Sequence, residues 1–394
     1  MIFFNKIVEH FYGIVGQITA GLPLLLVTAI ISNNIGLLEA GQFTVTVGLS
    51  SAIYTIFLWG FRPLIVVNRF QDYKRSIFFF LRLVFLFLFS IFLILFSIKQ
   101  NYLVTLSLII IIYKCCDGFI DLNFGFIQSK NSSDALKEFG KQHFYKFMFL
   151  IFILLIFNSF FVNHINLGII FAGLISLFYI VRNIIRQINI STHSIKDIES
   201  IKIVQILSRS TPYAISASVC GLLTASPRYI LDRIYDGELL GVIGISLSVG
   251  TLFGMIFNTT WARYFPNFSI QKNQIRYIFM FILENLFLSI LLLVISSTIL
   301  PHFISYFFDI DINIYSNTLK SVLIGCVFFS CGMSIVNLYK ITNFPIFESL
   351  SYGFVLFFFL YSTYLGVLEL NILLVYCGLI LQFLGMLSIL ILKK

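Results

Sequence analysis

The chain has 394 residues, of which 59% are hydrophobic and only 11% are charged, with a formal net charge of +9. A soluble globular domain would carry a charged fraction of about 25%, so this composition excludes that class. Apolar runs instead recur along the whole chain, each long enough to cross a hydrocarbon core of roughly 30 Å. The sequence therefore predicts a membrane protein, and its positive charge calls for no nucleic-acid partner.

The apolar runs predict an all-α polytopic membrane protein with about twelve transmembrane helices. In chain order the predicted spans are residues 12–32, 41–67, 77–98, 102–128, 144–162, 167–185, 204–225, 240–261, 275–300, 319–338, 346–365 and 370–392. The six cysteines lie inside these spans without a CxxC pair or a histidine at ligand spacing, so we expect neither a disulfide nor a metal site.

Basic residues are unequally shared between the connections. Most of the 26 lysines and arginines fall at the termini and after even-numbered spans, whereas the other side holds Lys99, Arg228 and Arg233. Short cytoplasmic loops carry an excess of basic residues, so both termini are predicted to be cytoplasmic.

The longest basic connection divides the chain into two halves. We predict an N-terminal six-helix lobe over residues 1–186, a cytoplasmic connecting loop over 187–203 and a C-terminal six-helix lobe over 204–394. Many transporters are built from two such repeats and bind their substrate between them.

The fourth predicted span carries charge near the middle of the membrane. Lys114, Asp117 and Asp121 share one helical face, and a charge at that depth costs roughly 3 kcal/mol or more unless it meets a partner or a wet cavity. Two interpretations stay open for Lys114: a cation that lines a cavity, or a member of a structural pair with Asp117 or Asp121. The two carboxylates either couple transport to Na⁺ or H⁺ or neutralise Lys114.

Three arginines near the cytoplasmic ends of spans also have two interpretations. Arg82 and Arg209 either snorkel to lipid headgroups or face the cavity as substrate-binding cations. Arg62 lies nearer the surface, where it either anchors its helix or joins the cavity cations.

Charged residues of the second half are candidates for a gate and for ion coupling. Arg228 and Asp232 are expected at the outer mouth, as a gate between the lobes or as an ordinary solvated turn. Glu284 lies inside the ninth span, where burial without a function would be costly, and is a third ion-coupling candidate.

Three segments resemble the Wzx-type polysaccharide flippases of the multidrug/oligosaccharidyl-lipid/polysaccharide (MOP) exporter superfamily. Residues 21–66, with a Gly-Leu-x-Glu-x-Gly pattern at 36–41, are similar to the first two helices of that family. Residues 226–268 are similar to its seventh-to-eighth helix junction, and the stretch KCCDGFIDLNFGFIQ at 114–128 is similar to its polar fourth helix.

The resemblance implies a monomeric transporter of the bacterial inner membrane that opens alternately to either side. Its implied substrate is an oligosaccharide on undecaprenyl pyrophosphate, flipped to the periplasmic leaflet for O-antigen or capsule synthesis. The resemblance also implies H⁺ or Na⁺ coupling, no cofactor, no enzymatic activity, and a glycan polymerase and a chain-length regulator as partners.

Two alternatives remain open. The first is a drug or metabolite exporter of the same superfamily, although a cavity rich in cations would oppose a cationic cargo. The second is a membrane glycan polymerase, for which His302, Asp309 and Asp311 form an acid–base grouping in a predicted outer connection.

Overall fold

Helices make up the described part of the chain. The computed structural model describes residues 2–34, 36–68, 75–99, 104–129, 132–160, 165–188, 200–234, 237–268, 274–341, 346–366 and 369–392. Helices satisfy their backbone hydrogen bonds internally, which a lipid environment requires.

The helices are numbered in chain order. They are α1 (Ile2–Asn34), α2 (Leu37–Leu58), α3 (Phe61–Asn68), α4 (Arg75–Lys99), α5 (Val104–Gln128), α6 (Ser132–Phe160), α7 (Ile165–Ile188), α8 (Ser200–Ile234), α9 (Glu238–Phe268), α10 (Gln274–Ser297), α11 (Ile299–Phe308), α12 (Ile312–Val336), a 3-10 helix (Asn337–Ile341), α13 (Ile346–Tyr364) and α14 (Leu370–Leu392).

Seven helical segments in the described residues are long and apolar enough to cross a membrane. They are Leu37–Val66, Arg75–Phe96, Glu238–Phe265, Arg276–Ser297, Ile312–Lys340, Ile346–Tyr364 and Leu370–Ser388. The remaining predicted spans also lie on helices, namely α1, α5, α6, α7 and α8. The protein is thus a multi-pass membrane protein, while the full number of twelve crossings stays a prediction.

The chain divides into two compact units that are interleaved in sequence. Unit 1 comprises Met1–Ala20 and Ile53–Ala217, and unit 2 comprises Gly21–Ala52 and Ser218–Lys394. These units differ from the lobes predicted at 1–186 and 204–394, which stay a prediction. Residues 189–199 of the predicted connecting loop lie outside the described residues.

The second predicted span is not one continuous helix. It breaks at Trp59 and Gly60, whose φ angles are 52° and 59°. These left-handed angles end α2 at Leu58, and the short helix α3 begins at Phe61. The span predicted over 41–67 corresponds to the apolar segment Leu37–Val66, but its helix is interrupted at these two residues. The hydrophobic pattern continues through the interruption and therefore does not reveal it.

A buried core in unit 1 fixes α3 beside three other helices. It joins side chains of α3, α4, α5 and α8: Phe61, Leu64, Ile65, Ile77, Phe78, Leu81, Leu122, Phe126 and Ile206. Trp59 packs against this core, and its ring stacks on Phe85 at 5.2 Å between centroids. The core places the residue that follows the helix break, Phe61, next to the polar part of α5.

Unit 2 contains a predicted outer connection that is largely helical. The ninth span ends as α10 at Ser297, and α11 then covers Ile299–Phe308. Asp309 caps α11 in the left-handed conformation, with a φ of 54°. The span predicted to end at residue 300 therefore ends at Ser297, and the connection predicted after it contains the helix α11.

Glycines let α12 and α14 of unit 2 approach closely. A Cβ added to Gly332 would lie 2.8 Å from the Cβ of Leu381, and one added to Gly385 would lie 2.8 Å from backbone and side-chain carbon of Ile335. Small residues allow such close packing where lipid supplies no hydrophobic driving force between helices.

Candidate functional site

Asp121 of α5 lies between two arginines that come from different helices of unit 1. Its Oδ2 atom accepts from Nη2 of Arg82 on α4 at 3.2 Å, and its Oδ1 atom lies 3.5 Å from Nη1 of Arg62 on α3. Gly125, one turn further along α5, lies against Arg62, since a Cβ added there would be 3.4 Å from the Cγ of Arg62, an ordinary van der Waals contact. Three helices therefore meet at one carboxylate.

Arg82 also bonds to the backbone at the end of α2. Its Nη1 group donates to the carbonyl of Leu58 at 3.0 Å, and its side chain is fully buried. In an unbroken helix the carbonyl of Leu58 would accept from the N–H group of residue 62. Because the helix breaks after Leu58, Arg82 satisfies the carbonyl that the break exposes.

Arg62 is held differently and remains accessible. Its Nε atom donates to Oε1 of Gln128 at 3.2 Å, and its guanidinium carbon lies 4.1 Å from the centroid of the Phe124 ring. A quarter of its side chain is exposed, whereas that of Arg82 has no exposure. The alternative in which Arg82 snorkels to headgroups is therefore wrong, because its buried guanidinium bonds to protein atoms.

Asp117, one turn before Asp121 on α5, meets two buried side chains of α6, those of Lys146 and His143. Its Oδ1 atom accepts from Nζ of Lys146 at 2.6 Å and lies 3.9 Å from Nδ1 of His143. Lys146 and His143 are 1% and 3% exposed, respectively. The Asp117–Lys146 pair connects α5 to α6, a contact that neither of the two interpretations left open for Lys114 and Asp117 included.

Lys114 lies on the same helix as these carboxylates and faces an aromatic ring. Its Nζ atom is 5.2 Å from the centroid of Tyr54, within the distance at which a cation interacts with the π-system. Lys114 belongs with its neighbours to what we call the α5 charge cluster, defined as Arg62, Arg82, Lys114, Asp117, Asp121 and Lys146.

The α5 charge cluster contains more positive than negative charge. Of its six members, four are lysines or arginines and two are carboxylates. Arginine is well suited to bind an anion because its planar guanidinium can form paired hydrogen bonds to phosphate oxygens. The chemistry of these side chains is therefore compatible with an anion such as a phosphoryl group.

The other predicted cations lie elsewhere. Arg209 is an exposed side chain of α8. Arg228 is 6% exposed, and its Nη2 group donates to the carbonyl of Leu247 on α9 at 3.2 Å. The interpretation of Arg228 as part of a solvated turn is therefore wrong, because α8 continues through this position. Asp232 lies on α8 as well, and its side chain is outside the described part of the chain.

Glu284 of α10 forms an ion pair within unit 2. Its carboxylate oxygens lie 3.2 and 3.3 Å from Nη1 of Arg263 on α9, and it accepts from the hydroxyl of Tyr264 at 2.8 Å. The cost of placing Glu284 inside a membrane helix is thereby offset. Arg263, which the sequence placed in a cytoplasmic connection, is its partner.

Sequence reasoning missed several charged partners because they stand close to the ends of apolar runs. Lys146 is at the start of the fifth predicted span, where the charge pattern groups it with the basic connection before it, but α6 begins at Ser132 and the side chain is buried. Lys340 was likewise placed in a loop, yet its Nζ atom lies 3.1 Å from Oε1 of Glu348, which is 1% exposed. Lys146 lies two residues inside the span predicted over 144–162, and Lys340 lies two residues beyond the span predicted over 319–338. This nearness to an apolar span was the signal that could have identified both.

Metal ligation has no candidate set in the described residues. Across these ranges no group of three or more His, Cys, Asp and Glu side chains is arranged to hold a metal ion, and the cysteines are free thiols.

Comparison with solved structures gives the fold. The chain is similar to a multidrug resistance MATE family transporter of the MOP superfamily in an outward-facing conformation, with a TM-score of 0.60 and 12% identity, over 98% of this chain and 96% of that one. This is the fold of the MOP superfamily. The Vibrio cholerae MATE transporter VcmN matches the chain with a TM-score of 0.60 and 12% identity, covering 99% of this chain and 96% of its own.

A further MATE transporter, ClbM in complex with Rb⁺, is similar with a TM-score of 0.53 and 14% identity, over 98% of this chain and 93% of its own. No protein-family model and no curated protein sequence matches the chain.

Proposed function

We propose that the protein is a Wzx-type flippase that carries undecaprenyl-pyrophosphate-linked oligosaccharide from the cytoplasmic to the periplasmic leaflet of a bacterial inner membrane. The observation that carries this proposal is the excess of positive charge in the α5 charge cluster, inside a chain with the MOP fold. Surface polysaccharide synthesis, of O-antigen or capsule, is the pathway class that consumes such a substrate.

The cationic side chains of the α5 charge cluster meet a physical requirement of this transport. A pyrophosphate and a polar glycan cannot enter hydrocarbon without losing the hydrogen bonds that water provides. Arginine and lysine side chains replace those bonds for the phosphates, while the lipid tail remains in the bilayer. Arg62 and Lys114 are the cluster members that we assign to direct contact with the phosphates, and Arg82 supports them by holding Asp121. Arg209 is an exposed cation elsewhere in unit 1.

Coupling to a H⁺ or Na⁺ gradient belongs to the same proposal. Asp117 is a carboxylate that exchanges its bond to Lys146 for a proton or a cation, and Glu284 does the same opposite Arg263. Arg228 and Asp232 remain candidates for an outer gate. A monomer that hands its product to a glycan polymerase and a chain-length regulator completes this scheme.

An exporter of drugs or metabolites is the second candidate. The solved structures to which the chain is similar include a multidrug resistance transporter, and its fold is shared over nearly the whole chain. Cationic amphiphiles are common cargo for such a role, but the positive excess of the α5 charge cluster would repel them. The charge balance therefore favours an anionic substrate.

The decisive experiment measures undecaprenyl-linked oligosaccharide in a deletion strain, sorted by membrane face and by chain length. Single repeats trapped at the cytoplasmic face are the expected result. Single repeats that reach the periplasm and never lengthen would indicate a polymerase, and normal polysaccharide with altered drug sensitivity would indicate an exporter. Either of these two results would overturn the proposed function.

A further inference from the structure

The two arginines that share Asp121 differ in what else holds them. Arg82 is fully buried and is bonded both to Asp121 and to the Leu58 carbonyl, at 3.2 and 3.0 Å. Arg62 is one-quarter exposed, and its distance to Asp121 is 3.5 Å. Arg82 therefore has a fixed structural position, whereas the bond between Arg62 and Asp121 is the longer and more accessible one.

Asp121 would keep a partner if Arg62 left it. Its two oxygens are divided between the arginines, with Oδ2 on Arg82 and Oδ1 facing Arg62. Releasing Arg62 breaks one long contact and leaves the buried bond to Arg82 in place. An incoming anion can thus take over Arg62 without leaving an unpaired carboxylate in a poorly hydrated environment.

Arg62 is also pre-oriented for an anion. Gln128 accepts from its Nε atom, and the Phe124 ring lies against its guanidinium, so the plane of the group is held from two sides. Its remaining N–H groups can donate to phosphate oxygens, for which a planar guanidinium is suited. A held guanidinium loses less conformational freedom on binding than a mobile one.

From this arrangement we propose that Arg62 and Gln128 form the binding subsite for the pyrophosphate, and that Asp121 is an internal competitor that the pyrophosphate displaces from Arg62. This inference rests on the proposed function and deepens it. Asp121 is then a substitute for the substrate anion and has no part in ion coupling, and Arg82 is a positioning residue that retains Asp121 after the exchange.

The two roles open to Asp121 give opposite signs in a binding experiment. A carboxylate that only orients Arg62 would make binding weaker when it is neutralised, because Arg62 would lose its support. A carboxylate that competes with the ligand would make binding tighter. The sign of the change therefore separates competition from positioning, and a coupling carboxylate with no contact to the ligand would leave affinity unchanged.

The test uses the full-length protein in nanodiscs of zwitterionic lipid, with farnesyl pyrophosphate as the soluble isoprenyl probe and calorimetry as the readout. Asp121→Asn is expected to bind about threefold or more tightly than the parent protein, and Arg62→Gln about tenfold or more weakly. Asp309→Asn is the matched control because it removes the same charge from an exposed residue of unit 2 that tolerates asparagine. Unchanged or weaker binding by Asp121→Asn would overturn the inference.

A second variant keeps the inference testable if Asp121→Asn does not fold. Gln128→Glu places a second carboxylate beside Nε of Arg62, where the distance to Oε1 is 3.2 Å, and competition predicts weaker binding. Unchanged affinity in Gln128→Glu would place the anion elsewhere and would contradict the subsite.

The lipid composition separates the substrate from ordinary headgroups. Adding phosphatidylglycerol to the nanodiscs is expected to leave farnesyl pyrophosphate binding measurable, whereas complete loss would assign Arg62 to anionic lipid. Two results together would reject the inference and leave the proposed function standing: the deletion strain traps single repeats, and Asp121→Asn binds the probe no more tightly than the parent protein does. If the deletion strain traps no single repeats, the proposed function itself fails.

Discussion

Asp117 and Lys146 differ in their exposure to solvent, and this difference predicts unequal effects of removing either one. Asp117→Asn would leave the ammonium of Lys146, which is 1% exposed, without its carboxylate, at a cost of about 3–5 kcal/mol. Lys146→Met would leave Asp117, which is 25% exposed and therefore partly hydrated, so we expect a smaller loss. Thermal unfolding of the purified protein in detergent measures both.

The double variant Asp117→Asn/Lys146→Met provides the control for this pair. Since neither charge remains, it is expected to be more stable than Asp117→Asn alone. Additive losses in the double-mutant cycle would contradict a direct interaction between the two side chains.

Lys114 is the second residue whose charge can be tested. Its Nζ atom lies 5.2 Å from the Tyr54 ring centroid, a contact that an arginine can also make. Lys114→Ala is expected to abolish restoration of surface polysaccharide in a deletion strain, and Lys114→Arg to retain part of it. Lys137→Ala, an exposed lysine of α6, is the control at matched expression. Full restoration by Lys114→Ala would exclude a role of this cation in transport.

At the scale of secondary structure, the break between α2 and α3 determines the position of Arg62, which is the second residue of α3. Gly60 has a φ of 59°, and a Cβ added there would lie 2.6 Å from the Cβ of Tyr213 and 2.8 Å from the nitrogen of Ala214. Gly60→Ala thus combines the left-handed penalty of about 1–2 kcal/mol with an overpacking cost of about 1–3 kcal/mol. We expect a clear fall in the melting temperature and a loss of transport.

Gly366 is the matched control for Gly60. Its φ is 62°, and an added Cβ would meet no atom within 4 Å, so Gly366→Ala carries only the backbone penalty. Equal melting temperatures for the two alanine variants would show that the close approach to Tyr213 is unimportant for the break.

At the scale of the whole molecule, the basic connections predict a definite orientation in the membrane. Fusions of a reporter that is active only in the cytoplasm are expected to show activity after residues 130, 196 and 394, and none after residue 100. An even number of crossings between the two termini requires both ends to report the same side. Activity on opposite sides would contradict the prediction of twelve spans.

The sequence alone established the class of protein, the positions of its apolar helices and the polar character of α5. These features are local, because hydrophobic length and helical period are properties of one segment. Periodicity also brought Lys114, Asp117 and Asp121 onto one helical face, and all three belong to the α5 charge cluster. The helix break at Trp59 and Gly60 escaped detection because the apolar pattern runs through it unchanged.

Tertiary structure decided which charges meet. Asp117 pairs with Lys146 of α6, and Asp121 is shared by arginines of α3 and α4. From the sequence, pairing within α5 was one of two interpretations that stayed open. Arg228, expected near solvent, is buried against α9. The partner of a charged side chain depends on which helices pack together, and residues such as Lys146 and Asp117, far apart in the chain, leave no trace of that contact in the local pattern.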